Sequence, residues 1–375
     1  MDRDNSTTLQ HTGKEHRVGT GLLGAIETSV TFESPTPESP PIYSRLGNTS
    51  NHKEVESVLA ALHEAEDAIV TGSGMASFNL IFTSLLKPGD HVLVQDGCYG
   101  GTYNLLTKVL KPWGVETTFT PINRWEQSLK PATRMVIFES ITNPYCLPQD
   151  IGQATSFARK NKLMSVCDNT FASPILCQPL SHGADLVVES ATKYLNGHSD
   201  VIAGMIAGRK DLMDTLRTPH AYLGTFLATS QCAQLLRGLR TLDLRMEQHS
   251  KSGLRFAAAL ESSPALVERV NYGTSDKSIQ KYFPRGFGGM VAVRFQHSVD
   301  VKKLLTKTRL VTNVPSLGGT ETTATMPSYS TNWFMSAEEK AKYQIDDQLI
   351  RFSVGLERVE NITHDVLRAA QDSLP

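Results

Sequence analysis

No apolar run in the chain approaches the roughly 18 residues that a membrane-spanning helix needs. Neither sign of charge is in excess. Across 375 residues, 37 Lys and Arg face 38 Asp and Glu, so no basic face large enough for nucleic acid or an anionic membrane is expected. Cysteine is scarce. Cys98, Cys146, Cys167, Cys177 and Cys232 are odd in number, and no two stand in a C-x-x-C pair. That excludes a disulfide framework or a zinc site of that spacing and predicts free thiols packed in a reducing compartment. The opening stretch, MDRDNSTTLQHTGKEH, lacks the apolar segment of a secretory signal, so a cytoplasmic location is expected. There is no internal repeat. The one low-complexity tract is ESPTPESPP at 33–41, which fits neither a helix interior nor a central strand and predicts an extended arm over about residues 1–50.

What remains is an ordinary globular balance, 40% hydrophobic and 20% charged, long enough for two domains. Val55, Val58, Leu59 and Leu62 fall at helical spacing and predict a helix over 52–66. Short, almost wholly apolar runs then alternate with helical segments: AIVTG (68–72), HVLVQD ending at Asp96, RMVIFES ending at Ser140, LMSVCD ending at Asp168 and LVVES ending at Ser190. Such runs suit strands of a parallel sheet buried on both faces, and the alternation predicts an α/β layered fold. A continuous helical pattern over 232–261 leads to a C-terminal part with strand-like GMVAVRF and DQLIRFSVGLE.

Open α/β sheets bind ligands beyond the carboxyl ends of their strands. Collecting only those ends gives TGSGMAS (71–77), Tyr99 in DGCYGGTY, Glu139 and Asn143, Asp168, and Ser190, Thr192 and Lys193 in ESATKYLNGHSD. Taken singly, each has a plain reading: Gly-Ser-Gly is also a turn, and a lone lysine is usually a solvated surface charge. Taken together they suit pyridoxal phosphate. That cofactor needs a lysine to hold its aldehyde, a carboxylate to keep its pyridine nitrogen protonated, hydroxyls and a helix N-terminus for its phosphate, and an aromatic ring on its face. A dinucleotide site is the competing reading of TGSG, but the third glycine of G-x-G-x-x-G is missing.

From YSRLGN (43–48) to the end the chain resembles the Cys/Met-metabolism, or trans-sulfuration, family of pyridoxal phosphate enzymes. SATKYLNGHSD, CDNTFASP (167–174), TGSGMAS, CYGGTY, ITNP, SLGG (316–319) and IRFSVGLE (350–357) agree with it in order and spacing. The resemblance implies fold type I: a large domain (49–240) around a mostly parallel seven-stranded sheet, a smaller α+β domain (241–375), and an N-terminal arm (1–48) reaching a neighbouring subunit of a homotetramer built from two site-sharing dimers. It implies that Lys193 carries the cofactor, Asp168 pairs with the ring nitrogen and Tyr99 stacks on the ring. Gly74, Met75, Ser190 and Thr192 would hold the phosphate, joined by Tyr43 and Arg45 of another subunit. Arg351 and Asn143 would orient the substrate carboxylate, with Ser316 nearby. Glu139 fits two readings, a carboxylate behind the ring or a helix cap, and His198 reads as structural.

The chain departs from the family at the distal substrate pocket. Enzymes that handle cystathionine typically carry charged residues where this chain has Ile42, Asn104 and Pro315. Methionine γ-lyases usually have cysteine where Gly101 stands, the usual NPT reads NTS (48–50), and the usual MTH region reads MPSYSTNWF (326–334). A site without charges has little to offer a second zwitterionic head. The expected activity is therefore γ-elimination from an L-amino acid other than cystathionine, such as a methionine-like thioether, homocysteine, an O-acylhomoserine or an oxygen-linked analogue like canavanine. Lys193 would be the acid/base at both Cα and Cβ, with Tyr99 assisting. γ-Replacement and β-elimination are the alternatives inside the family. An aminotransferase and a non-catalytic cofactor-binding regulator are the alternatives outside it.

Overall fold

The computed structural model describes residues 4–13 and 24–375. Among the described residues, twelve strands fall into two sheets. The larger contains β1 (Asp67–Thr71), β2 (His91–Val94), β3 (Glu116–Phe119), β4 (Thr133–Glu139), β5 (Met164–Asp168), β6 (Leu186–Glu189) and β7 (Gly204–Gly208), in the order β1-β7-β6-β5-β4-β2-β3. Only β7 runs against its neighbours, β1 and β6. The other strands point one way, so their carboxyl ends gather along one edge.

Alternation along the strands explains why the runs are apolar throughout. Val136 and Phe138 of β4 enter one core while Met135 and Ile137 enter the other; Val187 and its neighbours Leu186 and Val188 divide likewise in β6. Among the described residues, four helices illustrate the two coverings. On one face lie α1 (Asn5–His11) through Leu9 and α2 (Ser50–Leu62) through Val55, Val58, Leu59 and Leu62. On the other lie α3 (Gly74–Leu85) through Phe78, Ile81 and Phe82, and the helix Lys210–Leu223. A short helix, α4 (Gly100–Asn104), starts just after Tyr99.

The smaller sheet contains β8 (Val267–Asn271), β9 (Met290–Phe295), β10 (Thr312–Asn313), β11 (Thr323–Thr325) and β12 (Leu349–Ser353), ordered β10-β11-β12-β9-β8. In β12, Ile350 and Phe352 enter the core of this second layer, while Leu349 joins the core of the large sheet. Period-2 alternation puts Arg351 on the same face as Leu349.

Three sequence expectations need correction. The 232–261 pattern is two helices, Thr229–Leu239 and Leu242–Glu261. Arg245 of the second donates to Gly238 O of the first at 2.8 Å, satisfying a carbonyl freed at the break. The helix expected over 52–66 ends at Leu62. The arm is not extended throughout: Asn5–His11 is helical, capped by Asp4, with Ser6 donating to Asp243 at 2.8 Å. No helix among the described residues is long and apolar enough to cross a membrane.

Candidate active site

A cavity of about 530 Å³ lies where the carboxyl edge of the large sheet meets the loops and β12 of the small one. β1 leads into Ser73, whose hydroxyl caps α3 by accepting from Ala76 N at 3.0 Å. The first N–H groups of a helix have no acceptor within it, and Gly74 and Met75 border the cavity. A Cβ on Gly74 would stand 3.0 Å from Cβ of Ser190, so glycine lets the helix start close against the exit of β6.

β6 runs out into Ser190, Thr192 and Lys193, all on the cavity wall. The backbone of this turn is held from outside the site. Arg245 donates to Tyr194 O at 2.7 Å and to Leu195 O at 3.3 Å, and Thr192 Oγ1 bridges to Ala203 O at 3.1 Å. Lys193 Nζ donates to Ser316 Oγ at 2.9 Å. Burial, with help from the nearby Arg351 charge, pulls the Lys193 amine down to about 8.

Asp168 ends β5 beside Glu139, its partner in β4. Asp168 Oδ1 accepts from Thr170 N at 2.9 Å, and no cation is paired with it among the described residues. Glu139 accepts from Tyr99 N at 2.6 Å with one oxygen and from Asn143 N at 2.8 Å with the other. Burial pushes both carboxyls upward, and the Asp168 charge pushes Glu139 further. Glu139 lines the cavity and clamps two loop backbones there, at Tyr99, where the helix Gly100–Asn104 begins, and at Asn143. Tyr99 lines the cavity and is 39% exposed, while burial of its phenol raises it above the usual range.

Arg351 is buried at 2% exposure without a carboxylate partner among the described residues. One end donates to Asn143 Oδ1 at 2.8 Å and the other to Pro315 O at 3.2 Å. A buried guanidinium bonded only to neutral oxygens is suited to an incoming carboxylate.

The donor set fits pyridoxal phosphate. It comprises a depressed lysine, a half-buried carboxylate lacking a cation, a glycine-lined helix start beside two hydroxyls, and an aromatic ring, all lining the same cavity.

A sequence profile described as Cys/Met metabolism PLP-dependent enzyme matches residues 6–371. The chain belongs to this family. Cystathionine beta-lyase MetC of Bacillus subtilis is 35% identical, with 98% of this chain and 97% of the relative covered. A cystathionine gamma-lyase of Dictyostelium discoideum is 36% identical, covering 97% and 96%. The crystal structure of cystathionine gamma-lyase from Lactobacillus plantarum complexed with L-serine superimposes with a TM-score of 0.94 at 30% identity, covering 99% of both chains. The fold is type I, the cofactor is pyridoxal phosphate, and the substrate is a small molecule of the amino-acid class.

Of the residues singled out in the sequence, Gly74, Met75, Tyr99, Asn104, Asn143, Asp168, Ser190, Thr192, Lys193, Pro315, Ser316 and Arg351 line this cavity. Ile42, Tyr43 and Arg45 do not; Arg45 instead donates to Ala221 O at 2.9 Å and lies over the Tyr43 ring. His198 is exposed and bonds Asn196 O within its own turn. The sequence reading missed the apolar contributors Phe78, Phe171, Ile202, Trp333 and Phe334. For the last two a signal existed, since MPSYSTNWF departs from the family at that point, but nothing in the local pattern says which way its rings face.

Proposed function

We propose that the protein catalyses γ-elimination from an L-amino acid with an uncharged γ-substituent, releasing the substituent, an α-keto acid and ammonia with uptake of one water. The distribution of charge carries this reading. Among the described residues lining the cavity, only Glu139, Asp168, Lys193 and Arg351 are charged, and the remaining wall includes Phe78, Ile202, Leu317, Trp333 and Phe334. The charged set is sufficient for one amino-acid head and leaves nothing to pair with a second.

In this proposal Lys193 and Asp168 hold the cofactor, Tyr99 lies on its ring, and Gly74, Met75, Ser190 and Thr192 hold its phosphate. When bound, the cofactor supplies an electron sink for the pair left at Cα. Arg351 binds the substrate carboxylate bidentately, and Asn143 fixes the guanidinium. Lys193, its pKa about 8, takes the proton from Cα, would give it up to the bound cofactor, and as a free amine again takes one from Cβ; one amine on a four-carbon stem reaches both. Ser316 holds that amine between transfers, and Tyr99 gives a proton to the departing group. Ile42, Tyr43 and Arg45 act in the site of a second subunit of a homotetramer. The exposure of Tyr222 (82%) and Leu223 (47%), beside the Arg45 contact, supports a covered surface there.

The test is a panel of γ-substituted amino acids with and without a thiol acceptor. α-Keto acid and ammonia are expected without the acceptor. A new thioether formed only with it would replace this reading by γ-replacement, and pyruvate from cysteine alone would replace it by β-elimination.

A further inference from the structure

The segment 330–334 closes one side of the cavity through Ser330, Thr331, Trp333 and Phe334 and brings no charge to it. Its rings belong to a connected series. Trp333 and Phe334 meet edge to face at 6.4 Å, Phe334 stacks on Tyr103 at 5.7 Å, and Tyr103 lies 4.8 Å from Phe119 of β3. Phe334 sits directly on the start of α4. A Cβ on Gly100 would lie 2.3 Å from Phe334 Cε1, so any side chain there would displace the ring. Gly100 adjoins Tyr99, and the wall therefore stands next to the reacting end of the site.

The segment is also tied down. Tyr103 Oη donates to Glu339 Oε1 at 2.5 Å, while the other Glu339 oxygen accepts from Ser336 N at 2.8 Å. Thr325 and Ser330 share a hydroxyl bond of 2.8 Å, and Lys340 Nζ donates to Ser328 O at 2.9 Å. A wall fixed before binding loses little freedom when a ligand covers it. Trp333 lines the cavity and is 71% exposed in the single chain.

We propose that Trp333 and Phe334 are the specificity determinants for the γ-substituent, selecting amino acids whose γ-atom carries a bulky apolar group, such as an aryl or branched-alkyl thioether of homocysteine, over those ending in a second charged head. This rests on the γ-site reading above. An aryl group gains by covering the two rings, whereas a charged tail loses its water and meets no partner.

The test uses two unreactive ligands, L-homophenylalanine and L-2-aminoadipate, whose binding to the holoenzyme is read from the absorbance change of the bound cofactor. Homophenylalanine is expected to bind at least about tenfold more tightly. Trp333→Ala and Phe334→Ala are each expected to weaken it severalfold to about tenfold, leaving aminoadipate within about threefold. Equal affinities in the unaltered protein, a preference for aminoadipate, or a preference that survives both substitutions would overturn the proposal. Should Phe334→Ala lose the native cofactor spectrum, Trp333→Ala, at an exposed position, decides alone. Keto-acid release from the panel of γ-substituted amino acids tests the elimination reading separately. Its absence would remove that reading and still leave the affinity order decisive, because neither ligand has a leaving group.

Discussion

Lys193 is a lysine whose surroundings favour the neutral amine. Burial removes water from the ammonium, Arg351 adds a like charge, and no carboxylate bonds Nζ among the described contacts. The sign of the consequence follows. From about pH 8 up to the usual lysine range, the unfolded chain holds a proton there that the folded chain has released. Folding therefore gains stability as pH rises through that window, and below about pH 8 the cost of burying the charge is felt in full. The same shift makes the amine nucleophilic at lower pH. In cofactor-free protein, modification of Lys193 by a small amine-reactive reagent, followed by peptide mass spectrometry, should rise with a midpoint near pH 8. Arg351→Gln should move that midpoint upward by removing the like charge. A midpoint in the ordinary lysine range would show that the amine is not desolvated as the geometry requires.

At the scale of elements, the turn after β6 depends on a helix that never touches the cavity. Arg245 spans the break between Thr229–Leu239 and Leu242–Glu261 and bonds carbonyls on both Gly238 and Tyr194. It therefore joins the end of one helix to the backbone next to Lys193. Arg245→Ala should cost about 2–4 kcal/mol in denaturant unfolding, since buried carbonyls lose a charged donor. Arg245→Lys should recover only part of that, because one ammonium cannot span the same carbonyls as a planar fork. A loss below about 0.5 kcal/mol for the alanine variant would mean that the turn holds itself. The helix break was not readable from periodicity: Leu235, Leu236, Leu239 and Leu242 continue an apolar stripe across it, and only the bonds made in space show where it ends.

At the scale of the molecule, the cavity draws on both sheets, with Lys193 and Asp168 from one and Arg351 from the other, while Tyr43 and Arg45 stand apart from it. If those two serve a neighbouring copy, two defective chains should repair each other. Arg45→Ala and Lys193→Ala subunits, each weakly active or inactive alone, should regain activity when unfolded and refolded together, since a mixed pair contains one site with both residues intact. No gain over the separate proteins would confine Arg45 to its own chain. Sedimentation of the mixture would verify that mixed assemblies had formed.

The sequence by itself determined the layered fold through the strands buried on both faces, which read as short apolar runs; the partly exposed edge strand β3 (ETTF) and the glycine-ended β7 gave no such run. It also determined the cofactor, because Lys193, Asp168 and the glycine-lined helix start follow successive strand ends, and parallel strands bring such ends to one edge. The tertiary structure alone decided Glu139, whose carboxylate bonds backbone groups at Tyr99 and Asn143 that have no residue-type signature. It alone decided the aromatic wall of Trp333 and Phe334 as well. That wall exists because Tyr103, Gly100 and Glu339 meet across more than 230 residues of chain, and a local pattern carries no record of a contact made at that distance.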